Sequence, residues 1–129
     1  MIQLERLDHL VLTVEDIDET CAFYQEVLGM KVTTFGEGRK ALHFGKQKIN
    51  LHQRGEEFEP KAQTPRSGSA DLCFVAQTSP QEVMEHLAAC NVFIIEGPVS
   101  RTGALGQLTS VYFRDPDGNL LEVSSYNQP

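Results

Sequence analysis

Leu7-Asp8-His9-Leu10-Val11-Leu12-Thr13-Val14 is the stretch from which the rest of the chain can be read. Alternation puts Leu10, Leu12 and Val14 on one side of a strand and His9, Val11 and Thr13 on the other. Next, Glu15 or Asp16 opens a helix on which Ile17, Cys21, Tyr24 and Leu28 recur at helical spacing, and Gly29 stops it. Three strand-like runs follow, Met30 to Phe35, Lys40 to Phe44 and Lys48 to Gln53, with Gly36, Gly38 and Gly45 at the turns. The order is strand, helix, strand, strand, strand.

That order then repeats. Gly55 to Ser69 is polar, holds Pro60, Pro65 and Gly68, and reads as a crossover linker. Ala70 to Ala76 is again a strand, and Pro80 opens a helix with Val83, Leu87 and Cys90 on one face. Val92 to Ile95, Thr109 to Arg114 and Leu120 to Ser124 are the later strands, with Asp115-Pro116-Asp117-Gly118 as a hairpin turn. Laid over each other, Asp8-His9-Leu10 meets Ala70-Asp71-Leu72 at an offset of 62, and Ile49-Asn50-Leu51 meets Leu121-Glu122-Val123 at an offset of 72. The ten extra residues are expected mostly in Gly97 to Gln107, where Gly103 and Gly106 suit either a lid or an idle hairpin loop. The expected fold class is α+β, with two βαβββ modules: module one over 5–54, a linker over 55–69, and module two over 70–126, within a single domain over 1–129.

Composition bounds the function. At roughly 150 residues per domain, 129 residues make one domain, and 40% hydrophobic with 22% charged residues is ordinary globular usage. No apolar run approaches the roughly 18 residues of a membrane span, and Met1-Ile2-Gln3-Leu4-Glu5-Arg6 does not open a secretory signal. A net charge of −7 argues against general nucleic-acid binding. Cys21, Cys73 and Cys90 form no CxxC pair, and three cysteines argue against a disulfide scaffold. The expected setting is cytoplasmic, with a small molecule as partner and neither nucleic acid nor membrane.

Polar residues sit at the centres of these strands. His9 and Asp71 hold equivalent places on the first strand of each half, facing away from the helix side. Asn50, His52, Glu122 and Ser124 do so on the last strands, with His43 and Tyr112 on the third. Such a face is either solvated or lines a polar cavity. Imidazole and carboxylate groups on a rigid sheet are what a divalent ion needs, although no close-spaced motif such as HExxH accompanies them. Lys61, Arg66 and Arg101 are candidates for meeting an anionic substrate, weighed against solvated loop cations. His86 reads as a surface residue of the second helix, and Cys73 as a small hydrophobe on the polar side.

Leu7 to Val14, followed by Phe23-Tyr24 and Val27-Leu28-Gly29-Met30, resembles the opening of the vicinal oxygen chelate superfamily. Tyr112-Phe113-Arg114-Asp115-Pro116-Asp117-Gly118-Asn119-Leu120-Leu121-Glu122-Val123 resembles its close. The superfamily includes glyoxalase I, fosfomycin-resistance thiol transferases, bleomycin-binding proteins and extradiol dioxygenases. Asn50-Leu51-His52 and Phe58-Glu59-Pro60-Lys61-Ala62 are further similar to small glyoxalase-domain, lactoylglutathione-lyase-like proteins.

The resemblance implies curved sheets around a polar cavity, with metal ligands on the first and last strands. His9 and Glu122 match family ligands. Asp71 stands where a second histidine is usual, and Asn50 where glyoxalase I has a further glutamate. The implied metal set is His9, Asp71 and Glu122, with His52 as an alternative imidazole, and the ion is manganese, nickel, zinc or iron. Glu122 is implied as the catalytic base, and Asn50, His52, Tyr112, Arg101 and Lys61 as substrate contacts. The leading expectation is a metal-dependent glyoxalase-like lyase or isomerase for a small oxygenated substrate, either free or thiol-conjugated. A metal-free ligand-sequestering protein of the bleomycin-resistance type is the alternative, and an extradiol-type dioxygenase, which would need His52, is a third. A homodimer is implied in which His9 of one chain meets Asp71 and Glu122 of the other, with pairing of the two modules within one chain as the alternative.

Overall fold

The computed structural model describes residues 1–127 and divides the chain into two compact units, Met1–Ser67 and a second beginning at Gly68. In the first unit the elements are β1 (His9–Val14), α1 (Ile17–Leu28), β2 (Lys31–Phe35), β3 (Arg39–Phe44) and β4 (Gln47–Gln53). The second holds β5 (Asp71–Val75), α2 (Pro80–Ala89), β6 (Glu96–Gly103), β7 (Gly106–Arg114) and β8 (Leu120–Tyr126). Each unit is thus a βαβββ module with an open four-stranded sheet, ordered β1-β4-β3-β2 or β5-β8-β7-β6. β1 pairs with β4, and β5 with β8, in parallel; the other pairs are antiparallel. The α+β expectation holds.

Local chemistry explains both helices. The Asp16 carboxylate accepts from Glu19 N at 3.0 Å, and Gly29, at φ 66°, ends α1 in the left-handed conformation that a side chain would resist. Ser79 caps α2 by accepting from Glu82 N at 3.2 Å, and Pro80 fills its first turn, where an amide hydrogen is not needed. Tyr24 of α1 is buried with Val14, Leu42, Ile49 and Leu51 of its sheet, and Leu87 of α2 with Val111, Phe113 and Leu121 of the other. Each such burial stabilises its module by about 1.5–3 kcal/mol. At the β1–α1 corner, Glu15 accepts from Arg54 at 2.9 Å and Ser67 at 2.6 Å, which ties both ends of the crossover segment to its own module.

The two register pairs match as the offsets require. His9 faces Lys48 in one module and Asp71 faces Leu120 in the other; Val11 faces Asn50, and Cys73 faces Glu122. Two expectations fail. Val92 to Ile95 is not a strand; the strand starts at Glu96 and runs through residues expected to be a loop. Gly97 to Gln107 is therefore no lid: it is most of β6 and the start of β7, turning at Ala104 and Leu105. The extra length of the second module is spread over the approach to β6, the longer β6 and β7, and the turn before β8. Gly97 lies at φ 140°, and a Cβ there would come within 2.9 Å of the Ser110 and Val111 backbone, so the irregular pairing between Glu96 and Val99 needs glycine.

Candidate functional site

In the first module, the sheet face away from α1 carries His9, Val11 and Thr13 on β1 and Lys48, Asn50 and His52 on β4. Arg39, Ala41 and His43 continue it on β3, and Lys31, Thr33 and Phe35 on β2. His9 is exposed, and its Nδ1 lies 2.8 Å from Asp8 Oδ2. That hydrogen bond is the main cause holding the Asp8 carboxyl below its ordinary range. It also fixes the ring so that Nε2 is the nitrogen left for another partner. His52 stands opposite Thr13, four residues further along β1 than His9, so the two imidazoles start about 13 Å apart and do not converge within the module.

Deeper on the same face, Asn50 and His52 are buried at 6% and 3% exposure, and Asn50 Oδ1, His52 Nε2 and Arg39 Nε have no hydrogen-bond partner. Phe58 lies edge-on to the His52 ring at 5.6 Å, and the Arg39 guanidinium sits over Phe58 at 4.5 Å and over Phe35 at 5.0 Å. Burial, followed by the Arg39 charge, pushes the His52 imidazole below its ordinary pKa. His43 is exposed beside Lys48 at the rim. Lys61 is exposed in the segment after β4 and pairs with Glu59 at 3.5 Å; Arg66 is exposed in the same segment.

The second module's equivalent face carries a connected polar chain. Asp71 and Cys73 on β5 lie beside Leu120, Glu122 and Ser124 on β8, followed by Tyr112 and Ser110 on β7. Ser124 Oγ donates to Glu122 Oε2 at 3.2 Å, and lies 2.6 Å from Ser110 Oγ and 3.3 Å from Cys73 Sγ. Tyr112, directly opposite Glu122, accepts from Arg101 Nε at 3.1 Å; burial first, and the Glu122 charge with it, raise its pKa. Arg101 also reaches Glu96 at 3.3 Å. It is thus a strand residue joined to Tyr112 and Glu96, not the loop cation that its glycine-rich surroundings suggest. Asp71 and Glu122 are one face-neighbour apart on paired strands, about 7 Å at the backbone, so their carboxylates can approach one ion. Burial is the main cause that raises the Cys73 thiol pKa, with the Glu122 charge adding to it, so this cysteine is no ready nucleophile. His86 lies exposed on α2 near Cys90.

Among the described residues, neither unit by itself gathers three His, Cys, Asp or Glu side chains in a metal-holding arrangement. The donor set named from the sequence is divided: an imidazole in the first module, two carboxylates in the second. Missed from the sequence were Arg39, Phe35, Phe58, Glu96 and Ser110. Only the strand register and the path of the segment after β4 bring them to the site, and no local spacing encodes either.

No helix among the described residues is long and apolar enough to cross a membrane. Residues 6–123 match the family model described as Glyoxalase/Bleomycin resistance protein/Dioxygenase superfamily. The integron cassette protein VCH_CASS1 from the mobile metagenome of V. cholerae is 61% identical, with a TM-score of 0.96 over 98% of this chain and 99% of that one. The virulence protein STM3117 of Salmonella typhimurium is 57% identical over 123 residues, 95% of this chain and 85% of that protein. A more distant relative, the metallothiol transferase FosB of Staphylococcus saprophyticus, is 27% identical over 120 residues, 93% of this chain and 76% of that protein. This chain belongs to the glyoxalase/bleomycin resistance protein/dioxygenase superfamily.

Proposed function

We propose that this protein is a metal-dependent, glyoxalase-like lyase or isomerase acting on a small oxygenated substrate, either free or thiol-conjugated. The observation that carries the reading is the Asp8–His9 pair. A carboxylate on Nδ1 of an exposed imidazole is the usual support of a metal-ligating histidine, since it fixes the tautomer and raises the basicity of Nε2. One nitrogen with the oxygens of Asp71 and Glu122 is a donor set that suits manganese, nickel or zinc. Bound there, a divalent ion would act as a Lewis acid toward two neighbouring substrate oxygens.

The remaining work falls to side chains. Glu122 is the base: it takes the proton from the carbon beside the substrate carbonyl and returns it to the neighbouring carbon. Ser124 orients its carboxylate, and Tyr112 stands directly opposite it on β7. Tyr112 accepts from Arg101, which leaves its own hydroxyl hydrogen free to donate toward Glu122 or toward a substrate oxygen that gains charge. Asn50 and His52 supply substrate contacts from the first module.

Elemental analysis before and after chelation is the first test, followed by assay of an α-ketoaldehyde hemithioacetal with the reloaded protein. About one ion per chain is expected, lost in His9→Ala and Glu122→Ala, while Asp71→His keeps or tightens zinc or nickel. Protein that stays metal-free in excess manganese, nickel and zinc would sink the enzyme. A specific observation then favours sequestration of a ligand without chemistry: Asn50 holds in β4 the register place that Glu122 holds in β8, so one carboxylate of a symmetric pair is missing. The register gives the dioxygenase reading no support, since His9 and His52 do not converge within their module.

We also propose a homodimer with composite sites. Inactive His9→Ala mixed with inactive Glu122→Ala, under conditions of subunit exchange, should recover about a quarter of wild-type activity: half the dimers are mixed, and each has one intact site of two. No recovery despite exchange would exclude composite sites.

A further inference from the structure

The first module holds a charge without a counter-charge. Among the described residues no carboxylate lies within ion-pair distance of Arg39, its Nε is buried without a partner, and its flanks are occupied by the Phe35 and Phe58 rings. Rings can hold a guanidinium in place, but they supply no acceptor for its N–H groups. Beside it, Asn50 and His52, both more than nine-tenths buried, present Oδ1 and Nε2 with nothing bonded to either. Three unpaired polar atoms on neighbouring strands of one sheet face are costly, at about 1–3 kcal/mol each, and such sites in native proteins commonly await a ligand.

The chemistry of the three groups describes what would satisfy them. Arg39 needs an oxyanion, which a guanidinium meets in two parallel hydrogen bonds. Asn50 Oδ1 is an acceptor and needs a donor hydrogen. Depressed in pKa by its burial, His52 is neutral near pH 7, so it adds one donor or acceptor without a second positive charge. Arg39 stands two residues before Ala41, which faces Asn50, so the two side chains start about 7–8 Å apart on adjacent strands. A small ligand spans that gap.

We propose that Arg39, Asn50 and His52 form a recognition site for a carboxylate bearing a hydroxyl or amino group on its α-carbon, covered by Phe58. The carboxylate pairs with Arg39, and the α-substituent donates to Asn50 Oδ1. Phe58, 41% exposed in the segment after β4, touches both Arg39 and His52, so its side chain is the group that must move to admit the ligand. This deepens the functional reading above by naming a feature of the substrate, and rests on it for the site's role in turnover.

The test uses the whole chain free of metal, so that a failed metal reading leaves it interpretable. Lactate, alanine, propionate and methyl lactate are titrated while the Arg39 Nε–H and His52 ring resonances are followed. Lactate and alanine should bind about tenfold more tightly than propionate, the worth of one added hydrogen bond in a buried site. Methyl lactate, uncharged, should not bind. Arg39→Gln should abolish binding of every carboxylate, Arg39→Lys should retain part of it, and Asn50→Leu should make lactate and propionate equal. Should Arg39→Gln fail to fold, the wild-type ratio of lactate to propionate and the Arg39→Lys loss still decide. Equal binding of lactate and propionate to wild type, no saturation by any carboxylate, or undiminished binding in Arg39→Gln would each overturn the proposal.

Discussion

Tyr112 and Glu122 stand directly opposite each other across the β7–β8 pair, and the phenol oxygen, beside that carboxylate, accepts from the Arg101 guanidinium at 3.1 Å. Burial is the main cause that pushes the Tyr112 pKa above 10; the Glu122 charge adds to it and Arg101 opposes it. Removing the negative neighbour makes the tyrosinate less unfavourable. Glu122→Gln should therefore move the Tyr112 ionisation down, and Arg101→Gln should move it up. Absorbance near the tyrosinate band, with Tyr112→Phe as the blank, follows both shifts. An unmoved transition in Glu122→Gln would contradict the contact.

Asp8 gives a sharper test of the metal reading than the ligands themselves. Asp8→Asn keeps an acceptor oxygen near His9 but loses the charge that raises imidazole basicity. Metal affinity should fall about 10–100-fold, while Asp8 itself touches no ion. Competition with a chelator of known affinity measures it. Affinity equal to wild type would show that His9 does not bind the ion through Nε2.

The Asp115–Asn119 turn is a structural lock rather than a site. Asn119, 1% exposed, donates to Asp115 Oδ2 at 2.8 Å from its amide and to Oδ1 at 3.0 Å from its backbone, and accepts from Ala70 N at 2.9 Å. It joins the start of β5 to the start of β8. Asn119→Ala should cost about 1–3 kcal/mol in denaturant unfolding, because Asp115 Oδ2 and Ala70 N lose this partner at once while the backbone bond to Asp115 Oδ1 stays. A loss below half a kcal/mol would mean that water replaces the side chain.

His52 sets an acid limb of stability. Its folded pKa is depressed by burial and by the Arg39 charge from an ordinary value of 6.5, with Glu57 opposing and Lys61 adding. The unfolded chain therefore binds the extra proton first. The stability contributed by neutral, buried His52 is present above pH 6.5 and is lost as pH falls toward the folded pKa. His52→Gln should flatten this part of the pH–stability curve, read by denaturation from pH 7.5 down to about 5. An unchanged slope would place the acid sensitivity elsewhere.

The repeat was legible because each module carries its own punctuation. Asp16 and Gly29 bound α1, Ser79 and Pro80 open α2, and strand alternation separated His9 from Leu10 and Glu122 from Leu121. β6 was not legible. Glu96-Gly97-Pro98-Val99 holds two residues that normally end strands, and it pairs through an irregularity that only the opposite strand reveals. Val92 to Ile95 is the more apolar run, yet among the described residues Ile95 N donating to Tyr112 O at 2.8 Å is its one backbone bond to β7. On the site face, His9, Asn50, His52, Tyr112 and Glu122 could be assigned by alternation alone. Arg39 and Phe58 could not: nothing in the spacing of residues 35, 39, 52 and 58 foretells that they touch.

The strand made last in each module does not lie at the sheet's edge. β4 sits between β1 and β3, and β8 between β5 and β7. On the ribosome, β1 therefore emerges with no neighbour to pair with and waits until Gln47 to Gln53 has left the exit tunnel. The first module can then complete itself before most of the second exists. The second repeats the delay, with β5 unpaired until Leu120 to Tyr126 is released. Translation thus passes through two periods in which an apolar strand edge is bare, and a pause in either would expose the chain to pairing with a neighbour.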